Sequence, residues 1–108
     1  MAKNLQEEQA AIDVEIVNKT IACTPDNWKD FTLQLEYLSA DDPDALGSVK
    51  SSIINKSGDF ETPSDELFEE IQKLNKLFYR YGVAWIGAKY HIYLTEADKW
   101  KYEANFQY

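Results

Sequence analysis

The stretch from Trp85 to Tyr108 constrains this chain most tightly, because it reads as one long β-hairpin. Ile86, Ala88, Tyr90, Ile92 and Leu94 fall on alternate positions, and after a polar turn Trp100, Tyr102, Ala104, Phe106 and Tyr108 do the same. A repeat of two is the side-chain period of a strand. Between them stand Lys89, His91, Lys99, Lys101, Glu103, Asn105 and Gln107. One face of the hairpin is therefore expected to be buried and the other wet, as in an antiparallel sheet covered on one side only. The turn Thr95-Glu96-Ala97-Asp98 has no glycine and is expected to form a loop of four residues built on a type I turn.

A one-sided sheet needs a second layer, and the rest of the chain supplies it. Residues 4–23 read as a helix with one apolar stripe at Ala10, Val14, Val17 and Ile21 and another at Leu5, Ile12, Ile16 and Cys23. Alternation across Ile12 to Ile16 makes a strand the competing reading. The second stripe is expected to touch a loop, the sheet edge or a second subunit. Thr24-Pro25-Asp26-Asn27 ends the element, since proline disfavours helical geometry in the residue before it. Phe31, Leu33, Leu35 and Tyr37 mark a first strand, and Val49 to Asn55 a weaker, serine-diluted second. The acidic loop 39–47 joins them, and Asn55-Lys56-Ser57-Gly58-Asp59 closes the second with turn residues. A second helix is expected from an N-cap at Thr62, with Pro63 in its first position and Gly82 after its end. Leu67, Ile71, Leu74, Leu77 or Phe78, and Tyr81 form its apolar face. Its acids, Asp65, Glu66, Glu69 and Glu70, precede its bases, Lys73, Lys76 and Arg80, an order that complements the helix dipole. The order helix, strand, strand, helix, strand, strand implies an α+β two-layer sandwich in a single domain, residues 1–108. Its sheet is expected to be four-stranded and mainly antiparallel, with both helices on one face.

Charge narrows the partners. The net charge of −8 is spread as −4 over residues 1–40, −7 over 41–70 and +3 over 71–108. So acidic a chain is repelled by nucleic acid and anionic membranes and attracted to basic surfaces, with plain solubility as the competing explanation. The N-terminal residues form no apolar signal segment, and no apolar run is long enough to span a bilayer. A single cysteine, Cys23, allows no internal disulfide, which fits a cytoplasmic protein.

Motifs that carry chemistry are scarce. The four glycines, at 47, 58, 82 and 87, form no phosphate-binding loop. One histidine and one cysteine give no transition-metal set, and Asp41, Asp42 and Asp44 lack the glycine and the closing glutamate of a calcium-binding EF-hand loop. Cys23 and His91 are the only candidates for a nucleophile and its base, one expected in an apolar helix and the other on the polar strand face. No carboxylate pair stands out among the 19 acids. The expectation is a protein that is not an enzyme and uses no cofactor or metal.

Several residues together resemble a known family. A helix running into Ile21-Ala22-Cys23-Thr24-Pro25-Asp26-Asn27-Trp28-Lys29-Asp30, the acidic start Asp65-Glu66-Leu67-Phe68-Glu69-Glu70, Trp85 opening a strand and Trp100-Lys101-Tyr102-Glu103 in the last one are similar to the YezG-like immunity proteins. The likeness covers residues 12–108, and the loop 39–47 and the second strand depart from it. These proteins are small acidic antidotes of bacterial polymorphic-toxin and contact-dependent growth-inhibition systems. The resemblance implies a cytoplasmic protein that binds a cognate toxin domain, expected to be a basic nuclease, and blocks it. Asp41, Asp42, Asp44, Asp59, Glu61 and Glu66 are the expected electrostatic contacts, with Phe68, Trp85 and Tyr93 as aromatic anchors outside the core. A monomer or weak homodimer is expected. An acidic secretion chaperone, dimerising through the second stripe of the first helix, is the alternative, and an enzyme with carboxylates in a hidden pocket is a third.

Overall fold

Two helices cover one face of an antiparallel sheet of five strands in the computed structural model, which describes residues 4–39 and 46–108. The elements in chain order are α1 (Leu5–Cys23), β1 (Asp30–Leu38), β2 (Ser48–Asn55), β3 (Phe60–Glu61), α2 (Asp65–Arg80), β4 (Gly87–Leu94) and β5 (Trp100–Gln107). The sheet order is β3-β2-β1-β4-β5, so the two αββ halves meet at the central pair of β1 and β4. The expected α+β architecture is present, with one strand more than the four expected. That strand, β3, has only two residues and pairs Phe60 with Ile54 and Glu61 with Ile53. Too short to show an alternation, it reads in sequence as part of a turn.

The helix α1 prevails over the competing strand. The Asn4 side chain accepts from the Glu7 N–H at 2.9 Å and so caps its start. Both apolar stripes contribute to the core: Ile16 and Val17 are buried, Leu5, Ile12, Ile21 and Cys23 pack against it, and only Ala10 and Val14 of the first stripe are exposed. The second stripe is thus turned inward throughout, so it is not available as a dimer surface for a chaperone. Asp13 and Thr20 share that inward face, and counting apolar residues alone hides it. The Thr20 hydroxyl bonds back to the Ile16 carbonyl at 2.6 Å.

In α2 the capping residue is Ser64, not Thr62: its Oγ accepts from the Leu67 N–H at 3.2 Å. The Ser64 N–H in turn donates to the Cys23 Sγ at 3.3 Å, tying the end of α1 to the start of α2. At the other end of the antiparallel helix pair, Arg80 meets Glu8 at 2.8 Å and the Tyr81 hydroxyl donates to Glu8 at 2.6 Å. That contact draws Tyr81 out of the apolar face assigned to it. Leu67, Ile71 and Leu74 are buried as expected, Leu77 and Phe78, read as alternatives, are both buried, and Gly82, at φ +68°, ends the helix.

Phe31, Leu33, Leu35, Val49, Ile53, Ala88, Tyr90 and Ile92 are the buried strand residues, all on the helix side. The alternation breaks at Ile86 and Gly87. Trp85 is only 5% exposed and Ile86 is 59% exposed, the reverse of what the period of two implies. Both residues precede β4, which begins at Gly87, where the chains pass closely: a Cβ on Gly87 would stand 2.5 Å from the Leu35 carbonyl oxygen. There Ile86 bonds through its carbonyl to the Tyr37 N–H at 2.8 Å and through its N–H to the Gln107 carbonyl at 2.7 Å. In the hairpin turn, the Asp98 N–H closes on the Thr95 carbonyl at 3.0 Å, with Asp98 itself at φ +58°. The aromatic row of β5 faces the helix side as expected, but Trp100 and Tyr102, on this edge strand, each stay 36% exposed.

Candidate partner-binding surface

The open face of the sheet distributes its charge evenly. Register places Lys50 opposite Glu36 and His91 between Thr32 and Glu103, and among the described strand residues three lysines, Lys50, Lys89 and Lys101, share this face with Asp30, Glu36 and Glu103. The whole excess of −8 therefore belongs to the rest of the chain.

Much of it gathers at one corner, where β3 turns into α2. From Ser57 to Gln72 the chain has no lysine or arginine and carries Asp59, Glu61, Asp65, Glu66, Glu69 and Glu70. Glu70 is buried and paired with Lys73 at 2.8 Å. The Glu70 carboxylate raises the Lys73 pKa above the ordinary lysine value. The other five lie at the surface together with Phe60, 67% exposed, and Phe68, 46% exposed. Large apolar side chains among carboxylates have the composition of an interface anchor with a charged rim.

The corner is held rigidly by its own sequence. The Asn55 Oδ1 accepts from the Ser57 N–H at 3.0 Å and the Asp59 N–H at 2.9 Å, while the Asn55 N–H reaches the Asp59 carbonyl at 3.0 Å. Gly58 takes φ +86°, which the turn requires and a side chain resists. Pairing of β3 with β2 and the Ser64 cap then fix both flanks. Part of the charge has a structural use, since Asp65 and Glu66 stand in the first turn of α2, where the helix dipole favours them.

Asp59, Glu61, Glu66 and Phe68 thus belong to one stretch with Phe60, Asp65 and Glu69, but β3 divides it: Glu61 lies opposite buried Ile53 on the helix side, whereas Phe60, opposite Ile54, lies on the open face. Phe60 carries no periodic signal. Its one mark is position, a lone aromatic between two acids in a turn-rich stretch. Asp41, Asp42 and Asp44 lie outside the described residues. Trp85 is corrected: it is buried, with its ring 5.2 Å from Phe78 and 5.9 Å from Tyr37, and its Nε1–H donates to the Asn75 Oδ1 at 3.3 Å. Asn75, a polar residue in the apolar stripe of α2, also donates to the Gly47 carbonyl at 2.9 Å, and the Gly47 N–H donates to the Tyr37 hydroxyl at 3.2 Å. This network holds the chain where it re-enters the sheet before β2. Tyr93 is half-buried on the open face, its ring 5.1 Å from His91, away from the acidic corner.

Neither candidate for nucleophilic chemistry finds the other. Cys23 lies in the helix layer, whereas His91 is on the open face with Nε2 2.9 Å from Asp30, which also meets Lys56 at 3.2 Å. The strongest electrostatic perturbation is structural: Tyr90 donates to Asp13 beneath α1 at 2.5 Å. Burial raises the Asp13 pKa, with the Tyr90 bond opposing it, and burial followed by the Asp13 charge raises Tyr90. The pair links α1 to the centre of the sheet. No family model matches this chain, and no curated protein matches it.

Proposed function

We propose that this chain is an immunity protein: it binds a basic toxin domain, a nuclease in the first instance, in the cytoplasm and neutralises it without catalysis. The observation that carries the reading is the stretch from Asp59 to Glu69, which carries five surface carboxylates, with Phe60 exposed on the open face of the sheet and Phe68 exposed on α2. A nuclease is basic where it holds phosphate, so such a corner is steered towards it and can take the place of the phosphates, while the rings supply contact area. The resemblance to YezG-like immunity proteins supports this class of partner.

The test is co-expression with the toxin domain encoded immediately upstream. A complex with one toxin per chain, toxic without this protein and harmless with it, is the expected outcome. The triple variant E61K/E66K/F68A should stay folded and lose protection. Full protection by that variant removes the corner from the interface, and no toxicity or complex at all removes the immunity reading.

A further inference from the structure

The two edges of the sheet differ in length. One ends in the two residues of β3, while β5 runs from Trp100 to Gln107 with β4 on its inner side, and among the described residues no strand pairs with its outer side. Main-chain donors and acceptors on such an edge are a template for another strand. The side chains add an apolar shelf. The stripe Ala10, Val14, Val17 and Ile21 lies on the flank of α1 opposite Glu8 and Ile12, the residues that face α2. It is directed towards β5, since Ile21 and Trp100 line one recess. Ala10, Val14, Trp100 and Tyr102 remain accessible along it.

We propose that this edge binds a second copy of the chain, β5 against β5 across a twofold axis. Charge favours a copy here over any other place on so acidic a molecule: Lys101 and Glu103 balance within β5, and the hairpin 87–108 as a whole carries three basic and three acidic side chains against −8 overall. The strand is also complementary to itself. Antiparallel pairing centred on Ala104 sets Trp100 opposite Tyr108 and Tyr102 opposite Phe106 on the helix side, and Lys101 opposite Gln107 and Glu103 opposite Asn105 on the open side. Aromatic rings meet aromatic rings, no like charges meet, and the whole strand is used. A shift to Glu103 as centre would set the two Glu103 carboxylates against each other, and a shift to Tyr102 would leave Phe106 opposite the hairpin turn. Because the axis runs through β5, the acidic corners lie at the two far ends of a continuous sheet of ten strands, twice the five of one chain. The inference does not depend on the immunity reading.

Sedimentation equilibrium of the full chain from about 1 µM to about 1 mM spans the affinities expected of a strand-edge contact. A concentration-dependent species of twice 12.5 kDa is expected. Asn105 is exposed on the open face, so its substitutions probe pairing without disturbing the core. Asn105→Glu places a carboxylate opposite Glu103 twice per dimer and should weaken association roughly tenfold, while Asn105→Lys should tighten it by a similar factor. A monomer at every concentration, or a dimer indifferent to both substitutions, overturns the proposal.

Discussion

The β3 end and the β5 end of the sheet are finished in opposite ways. At the β3 end a strand of two residues leads into the capped start of α2, and the stretch carries five surface carboxylates and two exposed phenylalanines. At the β5 end a full strand keeps its outer edge open, with aromatics on one face and balanced charge on the other. The first arrangement selects a partner of opposite charge, and the second suits a surface like itself. A second contrast lies inside. One buried polar side chain ties each helix down, Asn75 holding α2 to Gly47 and Trp85 and Asp13 holding α1 to Tyr90 of β4. The neutral amide is insensitive to pH, and the carboxyl is not.

The largest expected effect separates core from surface. Trp85→Ala should cost about 3–5 kcal/mol of stability in urea denaturation while leaving the affinity of the remaining folded protein for its toxin unchanged. A loss of affinity without loss of stability would return Trp85 to the interface. Next come the two internal ties. Asn75→Ala should cost about 1–3 kcal/mol at any pH between 4 and 8, because the Trp85 and Gly47 groups lose their partner. Asp13→Asn keeps an acceptor for Tyr90 and should change the pH profile. Burial raises the folded-state pKa of Asp13 above its ordinary value of 3.8. Its contribution is therefore complete below that value and is lost as pH rises through the folded one. Relative to Asp13→Asn, the native protein should lose stability on going from about pH 4 to about pH 7, and parallel profiles would show that Asp13 titrates normally. Smallest in stability is Phe68→Ala, within about 0.5 kcal/mol in the same denaturation assay. Its affinity for the toxin should nonetheless fall by at least about 1 kcal/mol by calorimetry.

Strong periodicity made the scaffold readable: Leu67, Ile71 and Leu74 in α2, and Phe31, Leu33 and Leu35 in β1, lie where their spacing places them. Local backbone geometry hid the rest. The strand phase does not extend back through Ile86 and Trp85, because β4 begins only at Gly87, and counting alternate residues does not detect this. The stripes of α1 were both visible, but which of them faces the sheet depends on where α2 lies. That position is fixed by contacts distant in sequence, such as Ser64 with Cys23 and Arg80 with Glu8. At the candidate site the carboxylates were legible from charge, whereas Phe60 was not, because exposure of one aromatic depends on a turn held by the Asn55 side chain.

The rate of association with the toxin domain at low and high salt tests the acidic corner most directly. The native chain should associate fast at low salt and slow steeply as salt is added, and E61K/E66K should associate more slowly with a flatter salt dependence. Equal rates and equal slopes for the two proteins would contradict the corner as the place where the toxin is met.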